Sequence, residues 1–312
     1  MKFSLQKVVS IVADKIKRIE IQGARNVAIA AIKAIQDETK KTKASSKKEF
    51  INDLLEAKNI LFNSRATEPL MRNSIRYLIH EIESSNKESV KEMVDLVSQV
   101  AEQFLRNLEH SKENIAKVGS RRIFHHSRIL THCHSSTVTS ILRKAKLDGK
   151  SFEVVCTESR PVFQGRITAK EMLNSGIKTT MIVDSAVRHF MNQVDLVMVG
   201  ADAITSEGNV INKIGTSMVA LAAKEARTPF YVVSELLKFD PLTIHGEYEK
   251  LEERSSKEVW DNSPAGLIIR NPAFDVTRRE FIHGIICEEG IISPHSINEV
   301  IFRKYPWVLD VY

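Results

Sequence analysis

Through the first third of the chain, apolar residues recur at three- and four-residue steps. Val8, Val9, Val12, Ile16 and Ile19 form one series, and Val27, Ala30, Ala31, Ala34 and Ile35 form the next. This is the spacing of an apolar stripe on a helix, and it predicts a helical domain over residues 1–118. Within it, KKTKASSKKEF (Lys40 to Phe50) is polar and basic and reads as a solvated loop between two helices. From about residue 120 the pattern becomes short apolar runs separated by amphipathic stretches: Ser127–Thr131, Phe152–Cys156, Thr179–Val183, Leu196–Val199 and Phe230–Val233. Runs that are apolar at successive positions, not alternate ones, predict strands covered on both faces, as in a parallel sheet with crossover helices. The expected fold class is therefore α/β, an N-terminal helical domain followed by a Rossmann-like parallel-sheet domain over residues 119–312.

Sheets of this kind place ligands beyond the carboxyl ends of their strands. Three such ends carry capable side chains: Thr131-His132-Cys133-His134-Ser135-Ser136, Thr157-Glu158-Ser159-Arg160-Pro161 and Gly200-Ala201-Asp202. Cys133 lies between a strand and a helix starting near Ser135, where helix-end amides and flanking histidines favour a thiolate. Asp202 sits in apolar VMVGADAI, where burial favours the protonated acid. Each residue alone has an ordinary structural reading, the cysteine as a small buried hydrophobe and the aspartate as a helix cap; their shared location favours chemistry. His132 and His134 with Cys133 suggest a metal site, but neighbouring loop residues point apart and no fourth ligand accompanies them at a familiar spacing. No metal is expected. A Cys-His hydrolase pair lacks any oxyanion motif.

Composition narrows the function classes. The chain has 312 residues, 43% of them hydrophobic, enough for a substantial core. No apolar run approaches a membrane span, and the N-terminal MKFSLQKVVSIVADKIK has charges where a signal peptide is apolar, so a cytoplasmic location is expected. Cys133, Cys156 and Cys287 form no CxxC pair. Cys156 within a strand run and Cys287 within an amphipathic segment read as core, the latter in a helix running toward Gly290 that Thr277 and Glu280 would cap. Lys and Arg number 45 against 39 Asp and Glu, but aromatic residues are 6% and no basic stripe interleaves with them, so nucleic acid is not the expected partner. Basic residues beside turns and element ends fit an anionic small molecule instead: Arg25 after Gly23, Arg65, Arg160, Lys213 and Lys238.

The segments IQGARNVAIAA, ILTHCHSS, ESRPVFQGRITAKEML, VDLVMVGADAI, VINKIGTSMVALAAKEA and RNPAFDVT together resemble, in order and over nearly the whole chain, the superfamily that joins aldose-phosphate isomerases to the α, β and δ regulatory subunits of translation initiation factor 2B. Within it the likeness is greatest to archaeal ribose-1,5-bisphosphate isomerases; the methylthioribose-1-phosphate isomerases form a neighbouring branch, in which Asn-Ala-Gly usually follows the cysteine. The resemblance implies Cys133 and Asp202 as the catalytic pair, which the regulatory subunits lack. It implies substrate contacts at Gln22, Gly23, Ala24, Arg25, Arg65, Ser135, Ser136, Thr137, Gln164, Asn212, Lys213 and Lys238. Gln22 departs from the family's RGA pattern and cannot offer a guanidinium fork to phosphate, a loss Arg25 could offset; Ala66 replaces a common proline. The implied reaction converts ribose 1,5-bisphosphate to ribulose 1,5-bisphosphate by proton transfer without cofactor, in AMP or nucleoside breakdown. An AMP activator and a homo-oligomer, dimer or hexamer, are implied by the same resemblance. A regulatory subunit binding an initiation factor or nucleotide is the alternative from a different class.

Overall fold

The computed structural model describes residues 7–65, 68–247 and 251–309. Ala66 lies outside them. The chain divides into two compact units: Met1–His110 with Leu237–Phe239 and Phe302–Tyr312, and Ser111–Leu236 with Asp240–Ile301. The division falls inside one long helix, and two short segments from the second half of the sequence belong to the first unit.

The first unit is helical. Its helices are α1 (Lys7–Lys17), α2 (Ala24–Thr39), α3 (Lys47–Phe62), α4 (Pro69–Glu83) and the N-terminal part of α5 (Val90–Ser120). The three- and four-residue spacing buries Val9 and Ile16 of α1 and Val27, Ala31, Ala34 and Ile35 of α2, where α1, α2, α3 and α4 pack on one another. The carboxylate of Glu38 near the end of α2 accepts from the amides of Val8 and Val9 at 2.8 and 3.3 Å, satisfying free donors at the start of α1. The basic loop is shorter than the pattern suggests, because Ser46 caps α3 and Lys47–Phe50 form its first turn. No helix among the described residues is long and apolar enough to cross a membrane.

The second unit is built on a seven-stranded sheet. Strands β1 (Arg128–Thr131), β2 (Glu153–Thr157), β3 (Lys178–Ile182), β4 (Leu196–Val199), β7 (Phe230–Val233), β9 (Gly284–Cys287) and β10 (Gly290–Ile292) lie in the order β10-β9-β7-β4-β1-β2-β3. All neighbours are parallel except the β9–β10 hairpin. The crossovers include α6 (Ser136–Leu147), α7 (Gly165–Asn174), α8 (Val187–Met191) and α9 (Thr216–Ala226), and α10 (Ile297–Lys304) follows β10. The parallel strands thus run 3-2-1-4-5-6 in space, and chain order reverses between β1 and β4, the switch point at which doubly wound sheets bind ligands. A second, antiparallel sheet of β5 (Ala203–Ile204), β6 (Val210–Lys213) and β8 (Phe274–Thr277) leaves the main sheet just after β4. Ile129, Val154, Met198, Val233 and Ile286 share one buried core with Ile141 and Leu142 of α6 and Met172 of α7.

Two expectations need correction. The segment toward Gly290 is not a helix capped by Thr277 and Glu280. Thr277 ends β8, Glu280 lies in a short 3-10 turn, and Cys287 ends strand β9. The capping pattern is real at the level of residue types, but Gly284-Ile-Ile-Cys287 is apolar throughout and buries both faces beside β7. Strand β3, read as covered on both faces, is an edge strand with Met181 exposed.

Candidate active site

The ends of β1 and β4, adjacent at the switch point, carry Cys133 and Asp202. The chain leaves β1 through His132 and enters Cys133 with φ +65°, a left-handed conformation uncommon outside glycine. The Cys133 peptide is held on both sides. Its N–H donates to Ser159 Oγ at 2.8 Å, and its carbonyl accepts from Thr168 Oγ1 at 2.9 Å. The strain is therefore carried by two side chains from neighbouring β2–α7 segments. A left-handed cysteine so restrained is a motive for assigning function.

Cys133 is 8% exposed, and its Sγ lies 3.5 Å from Gln164 Oε1, to which the S–H donates. Burial pushes the thiol up to about 11; the Lys213 ammonium and the His134 amide oppose that, while the Asp202 and Asp184 carboxylates add to it. Asp202 is thus near enough to couple to the thiol. A carboxylate there disfavours the thiolate, and transfer of one proton to the carboxylate relieves the conflict. Asp202 is placed by its own amide, which donates to Ile211 O at 2.9 Å across the β5–β6 pair. Gly200, two residues earlier, lies so close to Ser135 that a Cβ would sit 2.9 Å from its Cβ and Oγ. The glycine therefore lets the end of β4 meet the start of α6.

The flanking histidines do not supply the positive charge expected of them. Burial holds both below the usual histidine range despite nearby carboxylates. His132, 2% exposed, reaches Thr157 Oγ1 and Ile214 O, whereas His134 reaches Thr168 Oγ1 and approaches Glu171. The two rings diverge. The cation at the thiol is Lys213, 5% exposed, at the end of β6 with its Nζ 5.3 Å from the centre of the Phe274 ring. Among the described residues it has no carboxylate ion-pair partner. Replacing it tests this assignment: Lys213→Met is expected to raise the Cys133 thiol by about one pH unit, making alkylation at pH 9 roughly tenfold slower. Iodoacetamide labelling across pH, with mass spectrometry locating the label, reads this, because Cys156 and Cys287 are fully buried and pushed up to about 11 and about 12. An unchanged profile would remove Lys213 from the thiol's environment.

The other expected contacts in this unit surround the same place. Ser135 caps α6, accepting from the Val138 amide at 3.4 Å, and Ser136 and buried Thr137 open that helix, leaving first-turn amides available for an anion. Asn212 Nδ2 donates to Thr216 Oγ1 at 2.9 Å, and Thr216 Oγ1 donates to Lys213 O at 2.6 Å. The Asn212–Thr216 turn is clamped by Asp275, which accepts from the Gly215 amide, the Ser217 amide and Ser217 Oγ. Gln164 is brought to the thiol because α7 begins hard against β2. A Cβ on Gly165 would meet Thr157 O at 1.8 Å. Gly165→Ala should cost about 2 kcal/mol or more, since the obstacle is backbone; thermal unfolding checks this, and an unchanged midpoint would contradict the packing. Arg160, considered as an anion contact, has its guanidinium over Phe163 and donating to Val259 O.

The remaining expected contacts belong to the helical unit. Gly23, with φ +83°, is the N-cap of α2, followed by Ala24. Gln22 is exposed and donates from Nε2 to Ile19 O. The buried Arg25 guanidinium donates to Leu108 O and pairs with Glu109 at 2.8 Å, so it is committed to α5 and does not stand in for an arginine at position 22; what Arg25 retains is its amide at the start of α2. Arg65 pairs with Glu68 at 2.6 Å. Buried Lys238 lies in a short 3-10 turn gripped on either side by Asn73, whose Nδ2 donates to Leu237 O and Phe239 O at 2.8 and 2.7 Å. Asn73, Thr157, Ser159, Thr168 and Asp275 were not among the expected site residues. Asn73, Ser159, Thr168 and Asp275 act through backbone groups and Thr157 through the side chains of His132 and Ser159, contacts that leave no motif in the sequence.

A model of the initiation factor 2 subunit family matches residues 20–294. The ribose 1,5-bisphosphate isomerase of Methanocaldococcus jannaschii is 41% identical over 309 residues, covering 98% of each chain. Among solved structures, the translation initiation factor eIF-2B of Pyrococcus horikoshii OT3 is 32% identical with a TM-score of 0.80, covering 92% of this chain and 98% of that one. The 5-methylthioribose 1-phosphate isomerase of the same organism is 29% identical with a TM-score of 0.78, covering 95% and 87%.

Proposed function

Given that the chain belongs to the initiation factor 2 subunit family, we propose that it is an aldose-ketose isomerase converting ribose 1,5-bisphosphate to ribulose 1,5-bisphosphate. The observation that carries this reading is the left-handed, buried Cys133 electrostatically coupled to Asp202 at the switch point. A regulatory binding subunit has no use for a thiol and a carboxyl converging there beside a buried lysine. Relatives named ribose 1,5-bisphosphate isomerase support the substrate choice.

The proton accounting closes without outside reagents. Asp202, as the acid, protonates the ring oxygen as the C1–O bond breaks. The Cys133 thiolate takes the C2 proton and the electron pair forms the C1–C2 double bond. The thiol then returns its proton to C1 while the C2 hydroxyl gives its proton to the Asp202 carboxylate, leaving the ketone at C2 and both groups as they began. Burial excludes water from the intermediate, and Lys213 stabilises the thiolate.

Phosphate contacts in this reading come from the first-turn amides of α6 at Ser135–Thr137, with Asn212, Lys213 and Gln164 around the sugar. Gln22, Gly23, Ala24, the Arg25 amide, Arg65 and Lys238 complete the assignment on the strength of their motifs. A homo-oligomer, activation by AMP and a cytoplasmic setting are carried with the reading. Competition between ribose 1,5-bisphosphate and methylthioribose 1-phosphate tests the substrate. The bisphosphate is expected to be turned over preferentially, and a preference for the methylthio sugar would move the protein to the other isomerase branch.

A further inference from the structure

The two groups that govern the reaction centre belong to different sheets, Cys133 at the end of β1 and Lys213 at the end of β6. A chain of hydrogen bonds, buried at every link but the part-buried last, runs from the Cys133 amide back through His132 to the backbone beside Lys213. From the Cys133 amide it runs to Ser159 Oγ at 2.8 Å, on to Thr157 Oγ1 at 3.1 Å, to His132 Nδ1 at 2.7 Å, and from His132 Nε2 to the carbonyl of Ile214 at 2.8 Å. Ile214 directly follows Lys213.

The two ends and the charge state of the ring together set the direction of every link. A carbonyl only accepts, so His132 Nε2 carries the hydrogen. The amide of Cys133 only donates, so Ser159 Oγ accepts there; with Nδ1 unprotonated, the Thr157 hydroxyl donates to Nδ1 and accepts from Ser159. Each member then donates once and accepts once. This requires a neutral imidazole, and burial holds His132 toward that state. The charged groups facing the ring are Asp184, 4.0 Å from Nδ1, with Asp275 and Lys213 acting from further off. Gly215 makes the approach possible, since at φ +99° a Cβ there would lie 3.1 Å from Nε2.

We propose that His132, Thr157 and Ser159 are positioning residues that hold the Cys133 thiol and the Lys213 ammonium in fixed relation across the two sheets. The inference rests on Cys133 being the reacting thiol of the function proposed above, but it makes a claim about coupling that needs no substrate to test. If the chain sets the distance, the electrostatic effect of Lys213 on the thiol depends on the Thr157 hydroxyl.

The experiment is a double-mutant cycle on the pH profile of Cys133 alkylation by iodoacetamide, site-resolved by mass spectrometry. In the parent, Lys213→Met is expected to move the profile up by about one pH unit, a roughly tenfold slowing at pH 9. In Thr157→Val the same lysine replacement should slow alkylation by less than about threefold, and in Thr157→Ser, which keeps the hydroxyl, the near-tenfold effect should return. Ser159→Ala, which removes the link nearest the cysteine, decides the matter if Thr157→Val does not fold. A full tenfold lysine effect in folded Thr157→Val, or in Ser159→Ala in its place, overturns the proposal. Because no sugar phosphate is present, an inert parent in the isomerase assay leaves this result readable, and the two failures are distinct.

Discussion

Cys133→Ser is expected to lower ribose 1,5-bisphosphate turnover by roughly 10²–10⁴-fold, the contribution of one positioned base. The serine hydroxyl keeps nearly the same volume and can still donate to Gln164, but it does not ionise in the working pH range and so cannot take the C2 proton. The fold should be unaffected. What holds position 133 is its backbone, through Ser159 Oγ on the amide and Thr168 Oγ1 on the carbonyl, and neither bond involves sulfur. The thermal midpoint of the variant should therefore stay within about 3 °C of the parent. Loss of activity with a retained midpoint would locate the defect in the chemistry. Retained activity would remove Cys133 from it.

Asp202→Asn should be comparably severe and has a second signature of opposite sign. Turnover falls by roughly 10²–10⁴-fold because an amide cannot protonate the ring oxygen. Yet the negative charge of Asp202 is one of the influences that raise the Cys133 thiol. Removing it lowers the thiol, enlarges the thiolate fraction below pH 11 and should quicken alkylation of Cys133. A dead enzyme with a more reactive cysteine is not what general loosening near a distant residue would produce at constant thermal stability. If alkylation slows or stays the same, the two groups are not electrostatically coupled and the shared-proton account fails.

Much of the frame was legible because parallel strands announce themselves. Leu196–Val199 and Phe230–Val233 are strands at the bounds their apolar runs suggest, the run at β1 starts one residue before the strand, and the runs at β2 and β3 are displaced by one residue. Continuous burial leaves continuous hydrophobicity. The small antiparallel sheet was not legible, since Ala203–Ile204 is two residues long and Val210–Lys213 ends in the polar pair Asn212-Lys213. The β9–β10 hairpin was hidden beneath a capping pattern that local residue types satisfy equally well, and the tertiary context beside β7 prevailed.

The site divides along similar lines. Cys133 and Asp202 were visible as reactive types just beyond strand ends, and the sheet order brings those ends to one switch point. The electrostatics were not visible. Histidines beside a cysteine suggest a cationic setting, but burial decides their charge, and burial follows from Thr157, Ile214 and Thr168, which lie 25, 82 and 34 residues from the histidines they contact. The cation that opposes the upward shift of the thiol sits instead at Lys213, at the end of a strand in a second sheet. Arg25 illustrates the converse: a guanidinium beside a glycine at a helix start looks free for phosphate, and only the fold shows it tied to Leu108 and Glu109.

Cys133 and Asp202 are proposed as the proton-transfer pair of a ribose 1,5-bisphosphate isomerase. Phosphorus NMR of the purified protein with α-ribose 1,5-bisphosphate, run beside Cys133→Ser and Asp202→Asn, tests this assignment most directly. The ribulose 1,5-bisphosphate resonances are expected to grow in with the parent and to be absent on the same timescale with either variant. A folded parent that leaves the bisphosphate unchanged, or variants that convert it as fast as the parent, would contradict it.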